Sequence, residues 1–176
     1  SRKARCIIGY SHYTNIAHPI SRRRWACFAE ACRLIVSASP VPVANGLGEG
    51  RPVINASMVS INGVGDRGCE AVEIERTGGL ETWGEEMGDG WRYVKTYQRP
   101  YDVVVVAVLA VGWHLGVLTG VSSDGEVHEW DRGVALAREA TGLPILNPLA
   151  AETVTRGCRG IERRSVAIFG AVHFFA

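Results

Sequence analysis

The chain has 176 residues, enough for one domain with its own hydrophobic core, and a composition of 47% apolar and 21% charged residues excludes a disordered protein. Its formal net charge of +1 argues against broad electrostatic binding to extended nucleic acid or to a membrane. The longest apolar run, residues 103–113, is too short to span a bilayer. Residues 1–10 lack the apolar core of a signal peptide, so we expect a cytoplasmic protein. Five cysteines without a CxxC pair fit that reducing compartment and predict neither a disulfide framework nor a structural metal.

The N-terminal third predicts a strand, a helix and a long connection. "ARCIIGY", residues 4–10, is predicted to be a strand, and "SHYTNIAHP" after it a loop. A helix is predicted after Ser21, whose hydroxyl suits an N-cap. The apolar residues that would share one face of this helix recur at helical spacing: Trp25, Phe28, Cys32 and Ile35. The Pro- and Gly-rich residues 39–52 predict a linker or a lid.

The middle of the chain predicts a hairpin, a third strand and a buried helix. "ASMVSING" and "CEAVEIER" alternate around the turn "VGDRG", and "WRYVKTYQ" alternates after an irregular, acidic, Gly-rich stretch at residues 77–90. Residues 103–114 are apolar on nearly every side. Four consecutive valines favour a strand there, but the length favours a helix, with Pro100 and Asp102 suited to its first turn.

The last third predicts a strand, a helix and a final strand. "GVLTGVSSDG" is predicted to be a strand ending in a turn, "EVHEWDRGVALAREATG" a helix ending at Gly142, and "SVAIFGAVHFFA" a strand. The order of elements predicts a single α+β domain over residues 1–176, in which a mixed, largely antiparallel sheet is packed by two or three helices. Residues 1–51 would contribute the N-terminal strand, helix and Gly/Pro-rich connection, and residues 143–176 a C-terminal extension.

Histidines and arginines are the first candidates for chemistry. No histidine pair has the i, i+4 spacing of zinc-binding helices, so no metal site is predicted. His12, His18 and His128 would be the acid–base residues if the protein were an enzyme. Three basic residues crowd the first turn of the first helix, where the helix dipole disfavours them: Arg22, Arg23 and Arg24. They form either a solvated surface or an anion site.

The segment "YVKTYQRPYD", residues 93–102, combines cations, hydroxyls and aromatic rings directly before the predicted helix. Cations bind phosphate and rings stack on bases, so the segment predicts a nucleotide-binding corner. The alternative is a well-capped helix start. The residues assigned to this corner are Trp91, Lys95, Thr96, Arg99 and Tyr101.

A second polar segment, "VSSDG", follows a predicted strand. Its hydroxyls and carboxylate, on Ser122, Ser123 and Asp124, would bind a ligand at the carboxyl end of that strand. The alternative is a plain turn at Asp124 and Gly125.

Three pieces of the chain, "INGVGDRGCEAVEI", "YVKTYQRPYD" and "VSSDG", resemble a family of accessory proteins of tailed phages to which no activity is assigned. That family carries N-G-x-G, a His-Glu pair, K-T-A-x-K-P-Y-D and V-S-S-D-G. The matching positions are Asn62, Gly63, Glu70, Lys95, Thr96, Pro100, Tyr101, Asp102, Ser122, Ser123, Asp124 and Gly125. Cys69 stands where the family has its histidine. The resemblance covers about residues 61–142 and implies a family-like core over residues 52–142. It adds Asn62 and Glu70 to the candidate ligand-binding residues.

Phage accessory proteins of this size often counter host defence. The resemblance therefore implies an anti-defence protein in the cytoplasm of an infected bacterium, which sequesters a nucleotide-derived immune signal without cleaving it. The signal would be a cyclic oligonucleotide or an ADP-ribose derivative. One alternative is a metal-independent phosphodiesterase or lyase acting on such a signal, and another is a protein that inhibits a host factor by binding to it. No cofactor is predicted, and a homo-oligomer is expected.

Overall fold

The computed structural model describes residues 9–77 and 90–151. Within them, three helices pack against two antiparallel sheets, which confirms the predicted α+β class. The helices are α1 (Arg22–Ser37), α2 (Asp102–His114) and α3 (Asp131–Thr141). The strands are β1 (Ser11–Ile16), β2 (Val43–Ala44), β3 (Val53–Ile54), β4 (Met58–Gly63), β5 (Val72–Glu75), β6 (Trp91–Lys95) and β7 (Leu118–Ser123). Two short 3-10 segments lie at Gly65–Arg67 and Val127–Trp130.

The strands form two sheets where the sequence predicted one. The first sheet has the order β6-β1-β7, with β1 antiparallel to both neighbours. The second is built on β4, which pairs with β2, β3 and β5. The predicted hairpin is therefore present as β4 and β5, but the third predicted strand, β6, pairs with β1 in the other sheet.

The central strand of the first sheet lies where a loop was predicted, and that prediction was wrong. Side chains of β1 alternate: His12, Thr14 and Ile16 are buried, while Tyr13 and Asn15 lie on the opposite face. Two of these three residues are polar, and Ser11 at the start of the strand is buried as well, so the alternation does not appear as a hydrophobic pattern in the sequence. Most of the strand predicted at residues 4–10 lies outside the described residues, and residues 9 and 10 are not in a strand.

Helix α1 follows its prediction. The Ser21 hydroxyl accepts a hydrogen bond from the Arg24 backbone N–H at 3.2 Å, as an N-cap does. The four residues predicted to share a face are all buried: Trp25, Phe28, Cys32 and Ile35. The apolar spacing alone therefore fixes which side of α1 packs on the core.

Helix α2 also confirms its prediction, and the strand suggested by its valines does not form. Residues 104–112 are buried without a break, so the segment is enclosed on every side. A helix satisfies its own backbone hydrogen bonds and can therefore run through such a core. In the described part of the chain no helix has both the length and the apolarity to cross a bilayer.

Helix α3 ends as the sequence predicted. Gly142 has a φ of 69° and donates its N–H to the Arg138 carbonyl at 2.8 Å, which closes the helix in a left-handed cap. The predicted final strand, in residues 165–176, lies outside the described residues, as does most of the acidic stretch at 77–90.

Candidate functional site

Three segments that are distant in the sequence meet at one end of the β6-β1-β7 sheet. The backbone N–H groups of Thr96 and Tyr97 both donate to the Tyr10 carbonyl, at 3.0 and 3.3 Å. On the other side of β1, the Asp124 N–H donates to the Ser11 carbonyl at 3.0 Å. The segments "YVKTYQRPYD" and "VSSDG" therefore flank the start of β1. Their side chains lie in two layers, one buried against the helices and one on the outer face of the sheet.

The buried layer is a chain of hydrogen bonds centred on His12. Its Nε2 lies 2.8 Å from Asp102 Oδ1, and its Nδ1 lies 2.9 Å from Ser123 Oγ. Thr96 Oγ1 donates to the same Asp102 oxygen at 2.5 Å. An ionised carboxylate only accepts hydrogen bonds, so a neutral His12 carries its proton on Nε2 and accepts the Ser123 hydroxyl proton at Nδ1.

This Ser-His-Asp order resembles that of serine hydrolases, but the histidine is enclosed. His12 has an exposure of 0%, and the rings of Tyr10 and Trp130 meet it edge-on with centroids at 5.2 and 5.1 Å. The Gly125 N–H donates to Ser123 Oγ at 2.9 Å. A general base must reach the substrate proton that it removes. His12 is not placed to do so, and the layer instead joins β1, β7 and α2.

Tyr10 covers one side of the buried layer, and the pKa of its hydroxyl is strongly raised. Burial, with a further contribution from the charge of Asp102, raises the pKa of Tyr10 from its ordinary 10.0 to about 12. Hydrogen bonds from Gln98 and Ser123 oppose the rise. The folded protein therefore holds the Tyr10 proton more tightly than the unfolded chain does.

We expect this shift to make stability fall in alkaline solution. The contribution of Tyr10 is complete below pH 10 and is lost as the pH rises through about 12, because the unfolded chain releases the proton first. Urea unfolding at pH 9 and at pH 11 should show a smaller drop for Tyr10→Phe than for the wild type. Equal drops would contradict the assignment. Burial also raises the pKa of Tyr101, so Tyr101→Phe should reduce the drop in the same direction.

The turn between β6 and α2 is strained. Tyr97 and Gln98 have φ values of 52° and 54°, in the left-handed region that residues with side chains rarely adopt. The turn is held by the Thr96 side chain on Asp102 and by the Arg99 N–H on the Thr96 carbonyl at 3.1 Å. As a result Tyr97 is 43% exposed, and Lys95 Nζ lies 5.9 Å from the centre of its ring.

The outer face of the sheet carries an aromatic patch, formed by Tyr13, Trp91 and Tyr93. Tyr13 is paired with Tyr93 across the β1–β6 ladder, and Trp91 is two residues before Tyr93 on the same side. The Tyr13 and Trp91 rings are stacked at 6.2 Å, and the Trp91 and Tyr93 rings lie 5.6 Å apart. Tyr93 is 51% exposed. Lys95 continues this row at the end of β6.

Polar groups border the patch on the β7 side. Ser122 is exposed and faces Tyr13 across the β1–β7 ladder. The Asp124 carboxylate accepts from the Ser11 N–H at 2.9 Å and from the Tyr13 hydroxyl at 3.2 Å. The structure thus places four predicted binding residues on or beside one surface: Trp91, Lys95, Ser122 and Asp124.

The other predicted residues of this region connect the two sheets. The Glu70 carboxylate accepts from the Lys95 backbone N–H at 2.8 Å, and the Tyr101 hydroxyl donates to the Glu70 carbonyl at 2.7 Å. The Arg99 guanidinium donates to the carbonyls of Asp66 and Gly68. These three side chains therefore attach the β4–β5 hairpin to the turn before α2.

Asn62 acts within the hairpin. Its Nδ2 donates to the carbonyls of Gly46 and Cys69, both at 3.1 Å, and its Oδ1 accepts from the N–H groups of Gly63 and Cys69 at 2.8 and 3.2 Å. Every one of these partners is a backbone group, so the side chain fixes the loop conformation. Thr96 and Ser123 belong to the buried layer. Ligand binding stays a prediction for six of the candidate residues: Asn62, Glu70, Thr96, Arg99, Tyr101 and Ser123.

The histidines considered for catalysis are dispersed. His18 lies beside Gly90, which contacts Ile16 at the far end of β1. His12 is four residues before Ile16 on that strand, so roughly 13 Å separates the two histidines along β1. His128 is exposed, with Nδ1 3.5 Å from Glu126 Oε2. In residues 9–77 and 90–151 no three His, Cys, Asp or Glu side chains are grouped to hold a metal ion. A joint acid–base role for these histidines has no geometry to support it.

The first-turn arginines of α1 do not form one cluster. Arg24 Nη1 donates to the Gly116 carbonyl at 3.3 Å. Arg22 lines a cleft on another side of the helix, and Arg23 is exposed.

Comparison with models of known protein families, with curated proteins and with solved structures gives no match for this chain. The site is therefore defined by its geometry.

Sequence reasoning missed three parts of this site. Tyr93 lies in the segment at residues 93–102 but was not assigned to the ligand. Tyr13 was not proposed because it lies in the segment predicted as a loop. The contact of His12 with Asp102 was missed because the two residues are 90 positions apart and Asp102 was interpreted only as a helix-capping charge. The available signal for strand β1 was the alternation of Tyr13 and Asn15 with His12 and Thr14. This alternation predicts a strand only if polar residues such as His12 and Thr14 are counted as buried.

Proposed function

We propose that this protein binds a nucleotide-derived signalling molecule on the outer face of the β6-β1-β7 sheet and sequesters it without cleaving it. The observation that carries the proposal is the aromatic patch of Tyr13, Trp91 and Tyr93 with Lys95 at its end. Exposed aromatic rings on a β-sheet stack on nucleobases, and a neighbouring ammonium group binds phosphate. Hydroxyl and carboxylate groups at the border, from Ser122 and Asp124, suit the polar edges of bases or sugars.

The size of the patch favours a small ligand. Three strands span about 10 Å between the outer two, and the distance from Trp91 to Lys95 along β6 is about 13 Å. Such an area accommodates one or two nucleotides. The net charge of +1 gives little attraction for a long phosphate backbone. A cyclic oligonucleotide or an ADP-ribose derivative therefore fits better than extended nucleic acid.

Binding without cleavage is supported by the position of His12. It is the histidine nearest to the patch along β1, but its ring lies on the inner face with both nitrogens engaged. The setting of an infected bacterial cell and a role against host defence are supported by the resemblance to phage accessory proteins. A second copy of the chain would close the open outer face over the bound ligand, which is the reason to propose a homo-oligomer.

The proposal is tested by retention of a ligand. Cyclic dinucleotides, larger cyclic oligonucleotides and ADP-ribose derivatives are each mixed with a slight molar excess of protein and filtered, and the filtrate is measured by mass spectrometry. We expect one class to disappear from the filtrate and to return intact when the retained fraction is heated. Recovery of a cleaved product would replace sequestration with catalysis. Passage of every compound into the filtrate would overturn nucleotide binding.

Variants of the patch then locate the site. Tyr93→Ala should weaken retention by about 10-fold, because loss of a base–aromatic stack costs about 1–3 kcal/mol. Tyr93→Phe keeps the ring and should bind like the wild type. Lys95→Ala should weaken binding while Lys95→Arg preserves it. If Tyr93→Ala retained the ligand fully, the ligand would bind elsewhere on the molecule.

A further inference from the structure

A cleft of 480 Å³ lies between α1 and the connection from β3 to β4, away from the aromatic patch. Its volume is in the range of small-molecule sites. Three of its lining residues carry guanidinium groups, and among the lining residues that the structure describes there is no carboxylate. The three guanidinium groups belong to Arg22, Arg33 and Arg76.

Helical spacing explains why two of the arginines share the cleft. Arg22 and Arg33 are 11 residues apart, about three turns of a helix, so both lie on one side of α1. Ala26 and Ala29 lie between them, and their small side chains leave room for a ligand. Arg23 is one position further round the helix and is not part of the lining.

The opposite wall of the cleft, residues 54–56, accepts hydrogen bonds from the lining side chains at three consecutive carbonyls. Arg33 Nη2 donates to the Ile54 carbonyl at 3.3 Å, Trp25 Nε1 to the Asn55 carbonyl at 2.9 Å, and Arg76 Nε to the Ala56 carbonyl at 3.2 Å. Two guanidinium groups are thereby fixed before any ligand arrives, which reduces the entropy cost of binding.

The arginines retain donors for an anion. A guanidinium group has five N–H donors, and Arg76 uses its Nε–H for the bond to Ala56. Arg33 Nη1 also donates to Glu30 Oε2 at 3.0 Å in a salt bridge, and both side chains of this pair are exposed. Glu30 therefore offsets part of the positive charge without lining the cleft.

We propose that this cleft binds the phosphoryl groups of a small phosphorylated ligand, at a second site independent of the aromatic patch. Guanidinium groups bind phosphate through paired N–H···O bonds, and three of them around one cavity match the charge of a pyrophosphate group. The site includes Arg22 of the basic first turn, but its partners are Arg33 and Arg76, and Arg23 and Arg24 have no part in it.

Calorimetric titration with pyrophosphate tests the proposal, with inorganic sulfate as a second probe. Arg22→Gln and Arg76→Gln should each weaken pyrophosphate binding about 10-fold or more, because a hydrogen bond to a charged group contributes about 1.5–3 kcal/mol. Arg23→Gln removes the same charge from the same helical turn and should bind like the wild type. Glu30→Gln should strengthen binding.

Three results would overturn the site: no binding of pyrophosphate, equal weakening by Arg23→Gln, or equal affinity for sulfate and pyrophosphate. The Arg22 side chain is exposed and makes no hydrogen bond in the described part of the chain, so Arg22→Gln distinguishes lost binding from lost folding. Tyr93→Ala should leave pyrophosphate binding unchanged, which separates this site from the nucleotide-binding face.

Discussion

Replacing His12 by alanine is expected to lower the free energy of unfolding by about 4 kcal/mol. The side chain has an exposure of 0% and is the common partner of Asp102 and Ser123. Without the ring, a carboxylate that is only 15% exposed loses one of its donors, and the Ser123 hydroxyl keeps only the distant Ser11 carbonyl, at 3.5 Å, as an acceptor. The rings of Tyr10 and Trp130 also lose their edge-on contact, which leaves a cavity between them.

Urea unfolding at neutral pH, followed by tryptophan fluorescence, measures this loss. His128→Ala is the matched control, because His128 has a side-chain exposure of 74% and its only described ionic partner is Glu126 at 3.5 Å. The control should stay within about 0.5 kcal/mol of the wild type. A loss below about 1 kcal/mol for His12→Ala would mean that the buried layer is not needed for the fold.

A double-mutant cycle separates the hydrogen bond from the packing. Asp102→Ala alone should also destabilise, since it removes the shared partner of His12 and Thr96. The His12→Ala/Asp102→Ala variant should lose less than the sum of the two, with a coupling of about 1–3 kcal/mol. Additive losses would assign the effect of His12 to ring packing alone.

The helices were predictable because their signals are local. The cap at Ser21, the apolar spacing of α1 and the glycine after α3 each act within a few residues of the element that they define. The two-sheet arrangement was not predictable in this way. Strand β6 alternates like a hairpin strand, but which strand it pairs with depends on β1, about 80 positions earlier.

The candidate site likewise contains residues that the local sequence predicts and residues whose contacts depend on distant segments. Lys95 and Trp91 were predicted to be near a ligand because cations and rings alternate along one short segment, and the structure does place them on one face. The other two charged candidates instead bind backbone groups of the protein: the Glu70 carboxylate accepts from the Lys95 N–H of β6, and the Arg99 guanidinium donates to carbonyls of the hairpin. A sequence shows that a side chain can bind an anion or a carbonyl, but it does not show whether the fold already supplies that partner.

The second large effect is expected at the contact between α2 and α3. A Cβ atom on Gly133 would lie 2.5 Å from Val106 Cβ and 2.9 Å from the Val103 carbonyl oxygen. The Val106 Cβ is fixed to the backbone of α2 and the carbonyl is part of that backbone, so neither atom can move aside without moving the helix. Gly133→Ala should therefore push the helices apart and destabilise the protein by about 3 kcal/mol, although alanine is the better helix former by about 1 kcal/mol.

Gly112→Ala is the matched comparison, since it makes the same change inside α2. There the new Cβ would meet Leu118 Cδ1 at 3.1 Å, Leu118 Cγ at 3.2 Å and Phe28 Cε2 at 3.3 Å, which are all side-chain atoms and all farther away than the atoms that face Gly133. These atoms can shift by a few tenths of an ångström, so we expect a loss near 1 kcal/mol or less. Urea unfolding of both variants gives the comparison. The opposite order, with Gly112→Ala the more damaging change, would contradict this argument. It would mean that the side chains of Leu118 and Phe28 are harder to displace than the backbone of α2 at its contact with α3.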